Sequence, residues 1–158
     1  MYDRFLLLSL FLLILTGCDH VESSESSVGD DGPTPRTEFK EDWNVGACTS
    51  GGESNHSLFV VDDALGVFRA GDVLYTFSPD GICAGKSDPF AGENFALAVW
   101  GDDSMTEAID GLRADEEIVL VLVSTRFSRP ARIFVSQVSG PSTYVPDGIT
   151  IIRDLVRE

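Results

Sequence analysis

The chain has 158 residues, 43% of them hydrophobic, and a formal net charge of −15. That length suits one domain plus extensions. So acidic a surface repels phosphate backbones and anionic lipid head groups, which excludes nucleic acid as a partner and leaves cations, basic proteins and neutral sugars. The charge also serves solubility by itself.

Residues 5–15 read FLLLSLFLLIL, an apolar run of 11 residues behind a start whose only charges are Asp3 and Arg4. A membrane-spanning helix needs about 20. A run this short is the hydrophobic region of a signal peptide, here over 1–17. Leu15-Thr16-Gly17-Cys18 follows directly. These four residues resemble the lipobox of bacterial lipoproteins, an aliphatic residue and two small or hydroxylated ones before a cysteine. The resemblance implies cleavage before Cys18, diacylglycerol and palmitate-type acylation of Cys18, and a partner in the lipid bilayer. More than one acyl chain makes such attachment lasting. The expected location is the extracytoplasmic side of the cell membrane or the outer membrane, with Asp19 leaving the leaflet undecided.

Residues 18–42 continue as DHVESSESSVGDDGPTPRTEFKED after the cysteine. They are rich in Ser, Asp, Glu, Gly and Pro and nearly free of apolar residues. Such a stretch buries too little surface to offset its ordering entropy, so it is expected to be a disordered acidic tether. His20 falls in it without a role.

From Trp43 the pattern changes, and 43–158 is read as one folded domain. The stretches SLFVV (57–61), DVLYTFS (72–78), ICAG (82–85), NFALAVW (94–100), EIVLVLVS (117–124), RIFVSQV (132–138) and GITIIR (148–153) are strand candidates. Ser78-Pro79-Asp80-Gly81 is a tight turn between two of them, because proline fixes φ and glycine permits positive φ. About seven short strands at even spacing predict an all-β fold, a small antiparallel β-sandwich. AVW and VLVLV are nearly continuous and suit central strands. Residues 105–112 are expected to form one helical turn capped by Ser104 or Asp103.

Several of these stretches form a recognisable order. Ala70-Gly71-Asp72-Val73, Pro79-Asp80-Gly81-Ile82-Cys83-Ala84-Gly85, Leu97-Ala98-Val99-Trp100-Gly101-Asp102-Asp103 and Asp110-Gly111-Leu112 together resemble a module common in secreted and surface proteins of Bacteroidota-like bacteria. The match covers residues 57–135. It implies a β-sandwich in an extracytoplasmic setting and brings no reaction. Where that module continues with Trp-Asp, this chain has Ser124-Thr125-Arg126-Phe127.

The remaining side chains with chemistry are few. Cys48 and Cys83 are two thiols in an exported chain. A disulfide there would close a loop of roughly 35 residues and contribute about 3–4 kcal/mol; each is also small enough to be a buried hydrophobe. Neither a CxxC pair nor a nearby histidine points to zinc or redox chemistry. Asp102, Asp103, Glu107 and Asp110 make a candidate calcium loop, but the spacing is not that of an EF-hand, and backbone-capping turns compete with it. Trp43 is the candidate ligand-binding aromatic. With Trp100, Tyr75 and Phe95 it could build a sugar-stacking platform, although Trp100 reads as core. His56 lies beside Ser54, Asn55 and Ser57 and reads as a loop residue before a strand. With no GxSxG elbow and no phosphate-binding glycine loop, catalysis is not expected. The expected function is a tethered, non-catalytic envelope protein that binds a protein or polysaccharide, with a structural or accessory subunit of an envelope complex as the alternative.

Overall fold

The computed structural model describes residues 43–46, 48 and 51–157. The signal peptide, Cys18 and the tether of 18–42 lie outside the described residues. The fold is all-β: β1 (Asn55–Val60), β2 (Val73–Phe77), β3 (Cys83–Lys86), β4 (Phe95–Trp100), β5 (Val119–Val123), β6 (Ala131–Ser139) and β7 (Ile149–Arg157), with one short 3₁₀ helix over Asp62–Val67. Among the described residues, no helix is long and apolar enough to cross a membrane.

The seven strands form one continuous sheet in the order β3-β2-β5-β6-β7-β1-β4. Every neighbouring pair is antiparallel except β1 and β7, which run parallel from Ser57–Ile149 to Val60–Ile152. The purely antiparallel expectation is corrected here. Parallel neighbours need a long crossover, and nearly the whole domain intervenes between β1 and β7.

The sheet curls until its terminal strands lie side by side. A Cβ added to Gly85 on β3 would run into the Ala98 carbonyl oxygen of β4, so the strands can approach this closely only because position 85 has no side chain. Period-two alternation then sends one face of every strand into a shared core: Leu58 and Val60, Leu74, Ala84, Leu97 and Val99, Leu120 and Leu122, Ile133, Ile152 and Leu155 form one buried cluster with Phe68, Leu112 and Tyr144.

β5 is apolar on both faces for a second reason. Its alternate residues Val119 and Val121 join Phe77 and Cys83 in a second buried cluster, against which Trp43, Val45, Cys48 and Tyr75 pack. Cys48 and Cys83 are joined by a disulfide. The Trp43 ring centroid is 4.9 Å from that of Phe77. Trp43, Val45 and Cys48 therefore lie over the outer face of β2, β3 and β5.

Three local expectations change. Residues 105–112 form turns and bends, not a helical turn, while the Asp62–Val67 3₁₀ helix has no counterpart in the reading above. Trp100 is half-buried, and Leu97 and Val99 take the core positions on β4, so Trp100 stands on the opposite side. Trp43 is half-buried, its ring packed on Phe77.

Thr76, at the β2–β3 junction, is the one described residue whose buried side-chain oxygen lacks a partner. An unmet buried hydroxyl costs about 1–3 kcal/mol. Thr76→Val keeps the shape and removes the hydroxyl. It should raise the denaturation midpoint, by about 1 kcal/mol in stability; an unchanged or lowered midpoint would show that the hydroxyl has a partner in solution.

Candidate functional site

The acidic loop is a backbone staple. The Asp110 N–H donates to Asp102 Oδ1 at 3.0 Å, and the Asp103 N–H donates to Asp110 Oδ1 at 3.1 Å. Asp103 Oδ1 also accepts the Met105 N–H at 2.9 Å, an Asx turn. Ser104 donates to Glu53 at 2.8 Å. Gly101 and Leu112 are bridged at the base of the loop, where a Cβ on Gly111 would strike the Gly101 backbone. Among the described residues no three His, Cys, Asp or Glu side chains converge to hold a metal ion. Asp102, Asp103, Glu107 and Asp110 thus do not converge as a calcium set, and the carboxylates of the three aspartates accept the loop's own N–H groups.

A similar role falls to Asp72. Its Oδ2 accepts the Arg69 N–H at 2.9 Å and Arg126 Nη2 at 2.8 Å. Burial acts to raise its pKa, but hydrogen bonds from Ser124, Arg69 and Arg126 outweigh that and hold it below its ordinary value. The Gly71-Asp72 motif thus ties the start of β2 to the β5–β6 turn.

His56 is fully buried on β1. The Val145 N–H donates to its Nδ1 at 3.1 Å, so Nδ1 carries no proton. Nε2 then bears the hydrogen and donates to Thr150 Oγ1 at 2.9 Å, and Thr150 donates onward to the Pro141 carbonyl at 2.5 Å. Neither ring nitrogen meets a serine or a carboxylate. Ser54 instead shares a hydrogen bond of 2.9 Å with the Tyr144 hydroxyl. Desolvation lowers the His56 pKa, partly offset by the bond to Val145. The histidine, read from the sequence as a loop residue, is the buried post to which the 140–148 connection is tied.

The aromatic platform is likewise dispersed. Phe95 packs edge-on against Phe68 at 5.2 Å, inside the main core. Tyr75 stacks near Phe77 at 6.4 Å, on the outer cluster with Trp43.

The open feature of the domain lies elsewhere, between β5 and β6. These strands pair at three positions only, Leu120–Ile133, Val121–Arg132 and Leu122–Ala131. Upstream of them Glu117 bridges Thr143 instead, and the Glu116 carbonyl accepts the Tyr144 N–H at 2.8 Å. Among the described residues, β6 beyond Ile133 pairs with β7 alone, through two register shifts between Val135 and Val138. The wall parts there around a cavity of about 330 Å³ lined by Leu58, Ile118, Ile133, Val135, Val138 and Ile152, with Pro141, Thr143 and Thr150 along one side. That volume is at the lower end for ligand sites.

Exposure confirms the opening. Val135 lies opposite Leu155, and Val138 opposite Ile152. Cross-strand partners share a face of the sheet. Leu155 and Ile152 are 4% and 1% exposed, yet Val135 and Val138 are 40% and 37% exposed. Core-facing valines meet solvent where no described strand continues beside them. On the other face Phe134 and Val156, also paired, are both exposed. The sequence reading missed these residues; RIFVSQV carried the signal, as an apolar strand with no charge after Arg132.

The chain matches no protein-family model, and neither a curated protein nor a solved structure shows significant similarity to it.

Three expectations follow. Melting temperature should be the same in calcium and in chelator; a rise in calcium would restore the acidic loop as a metal site. Thr150→Val should lower stability by about 1–3 kcal/mol, because His56 Nε2–H is left buried and unmet; an unchanged denaturation midpoint contradicts the assigned tautomer. Because the folded pKa of His56 is depressed, the unfolded chain binds more protons below the ordinary value of 6.5. Stability from this group is full above that pH and is lost as pH falls from 6.5 towards the folded pKa. Denaturation between pH 7 and 5 should carry a pH dependence that His56→Gln lacks; equal slopes in both proteins would contradict this.

Proposed function

We propose that this chain is a lipid-anchored, non-catalytic protein of the bacterial cell envelope whose β domain holds a partner protein at the gap between β5 and β6. The anchoring part rests on the apolar run of 5–15 and on Leu15-Thr16-Gly17-Cys18. The binding part rests on one observation, the core-facing Val135 and Val138 left exposed beside an apolar cavity.

An opening of this kind is costly. Apolar area left in water forgoes about 25 cal/mol per Å², and a local gap in an otherwise closed wall is a place where a ligand recovers that energy. The lining favours a protein over a polysaccharide. Sugars are held by flat exposed aromatics and dense polar groups, whereas here the lining is mainly aliphatic, with Phe134 and the Arg132–Glu117 pair among it, and Trp43 is packed on Phe77. The buried histidine supplies no acid–base group to the cavity, since both its nitrogens are engaged. An accessory subunit of an envelope complex is the form of this reading that the exposed Phe134, Ile149 and Val156 favour.

Two experiments on the full chain in a bacterial host test the two parts. An alkyne analogue of palmitate should label the wild type, and Cys18→Ala should lose both the label and the membrane fraction; label retained in the variant refutes anchoring at Cys18. A photo-crosslinking amino acid at position 138 should trap a discrete protein adduct that the same group at Phe59, exposed on β1, does not. Equal adducts at both positions would refute a partner at the gap.

A further inference from the structure

We infer that the gap receives an extended peptide segment of the partner, which adds a strand to β6 over 134–139, places an apolar side chain in the cavity, and carries a lysine or arginine at the end facing Glu117. This inference rests on the reading just given and specifies the chemistry of the partner.

The first argument is the backbone. β6 pairs with β7 along its length but with β5 only as far as Ile133, and beyond that residue this second edge meets no described strand. Unpaired N–H and C=O groups in a row are a template for another extended chain. Natural edges are blunted with lysine, proline, inward charges or bulges. Residues 134–139 read FVSQVS and contain no lysine, proline or charge, and their register shifts against β7 fall between Val135 and Val138. The other strands left with one neighbour, β3 and β4, are set against each other. β6 is thus the long edge that the curling of the sheet leaves available.

The second argument is the position of the cavity. It adjoins that same edge and is lined by Val135 and Val138 of β6 and Ile118 of β5. A strand laid along β6 would direct alternate side chains to the core face, which is where the cavity opens. Backbone pairing and side-chain insertion are met by one extended ligand in one position. A free fatty acid or other small apolar ligand would satisfy the cavity and leave the edge unmet.

The third argument is charge. Glu117 lines the cavity, and with Asp115 and Glu116 it forms the acidic run just before β5 that lies along residues 143–144. Arg132 pairs with Glu117 at 2.8 Å, and this partly exposed pair contributes little. The end as a whole is acidic, and so is the whole chain at −15. Charge complementarity favours a basic residue on the ligand, and self-repulsion disfavours a second copy of this chain across the edge.

The test uses the full chain in lipid nanodiscs and a randomised heptapeptide library displayed on phage. Selected peptides should alternate apolar residues and carry lysine or arginine at one end. The tightest of them, made synthetically, should slow amide hydrogen exchange at 134–139. Methylating its backbone nitrogens at alternate positions, in the one phase that faces β6, should weaken it at least tenfold, and Val138→Asp should abolish binding. Glu117→Gln should weaken it several-fold.

Peptides that bind equally well in both methylation phases, or whose apolar residues recur at helical spacing, overturn the strand inference but leave a partner at the gap. Selection of nothing beyond what Val138→Asp also selects overturns it too, and the crosslink at position 138 then decides separately whether any partner binds. Protection of 134–139 that grows with protein concentration in the absence of peptide assigns the edge to self-association and likewise overturns it.

Discussion

The ladder between β5 and β6 is three residue pairs long, and the shape of the domain follows from that. β5 is held on its other side by β2 over five pairs, from Val73–Val123 to Phe77–Val119. It is buried on both faces and braced by the cluster around the Cys48–Cys83 disulfide. β6 is held by β7, which is held in turn by β1. Each strand is fixed by a different neighbour, and beyond Ile133 the two separate. The 140–148 connection fills part of the space by pairing with residues 115–117.

That connection is secured from inside. His56 accepts from Val145 and, through Thr150, reaches Pro141. Thr150 and Pro141 also line the cavity. The buried histidine therefore acts as a positioning residue for one wall of the gap, through neutral hydrogen bonds of which protonation of Nδ1 would break the one from Val145. Tyr144, 2% exposed and bonded to Ser54, anchors the same connection from the other side. The polar residues of this domain mostly serve the backbone in this way. Asp72, Asp102, Asp103 and Asp110 all accept N–H groups of loops.

The all-β class and most strand positions were legible because alternation and turn chemistry are local signals. VLVLV announced a strand buried on both faces. RIFVSQV read as an ordinary strand, and nothing in it tells that its pairing to β5 ends after Ile133; register is set by the partner strand and by the long connection that follows. The parallel β1–β7 pair was invisible for the same reason. Trp100 was misplaced by one position of alternation, since AVW is apolar on both faces and only the burial of Leu97 and Val99 decides which side is the core. DDALGV gave no helical period, so the 3₁₀ helix went unread. The acidic loop misled in a more general way. Carboxylates at turn spacings satisfy metals and backbone N–H groups alike, and only coordinates separate the two uses.

The gap is a property of the folded domain before any ligand arrives. Amide hydrogen exchange of the full chain without added peptide tests this most directly. Amides of 120–122 and 131–133, inside the short ladder, should be strongly protected, while amides of 134–139 that point away from β7 should exchange orders of magnitude faster. Equal protection along the whole of β6 would mean that the edge is already covered, and the proposed site would not exist.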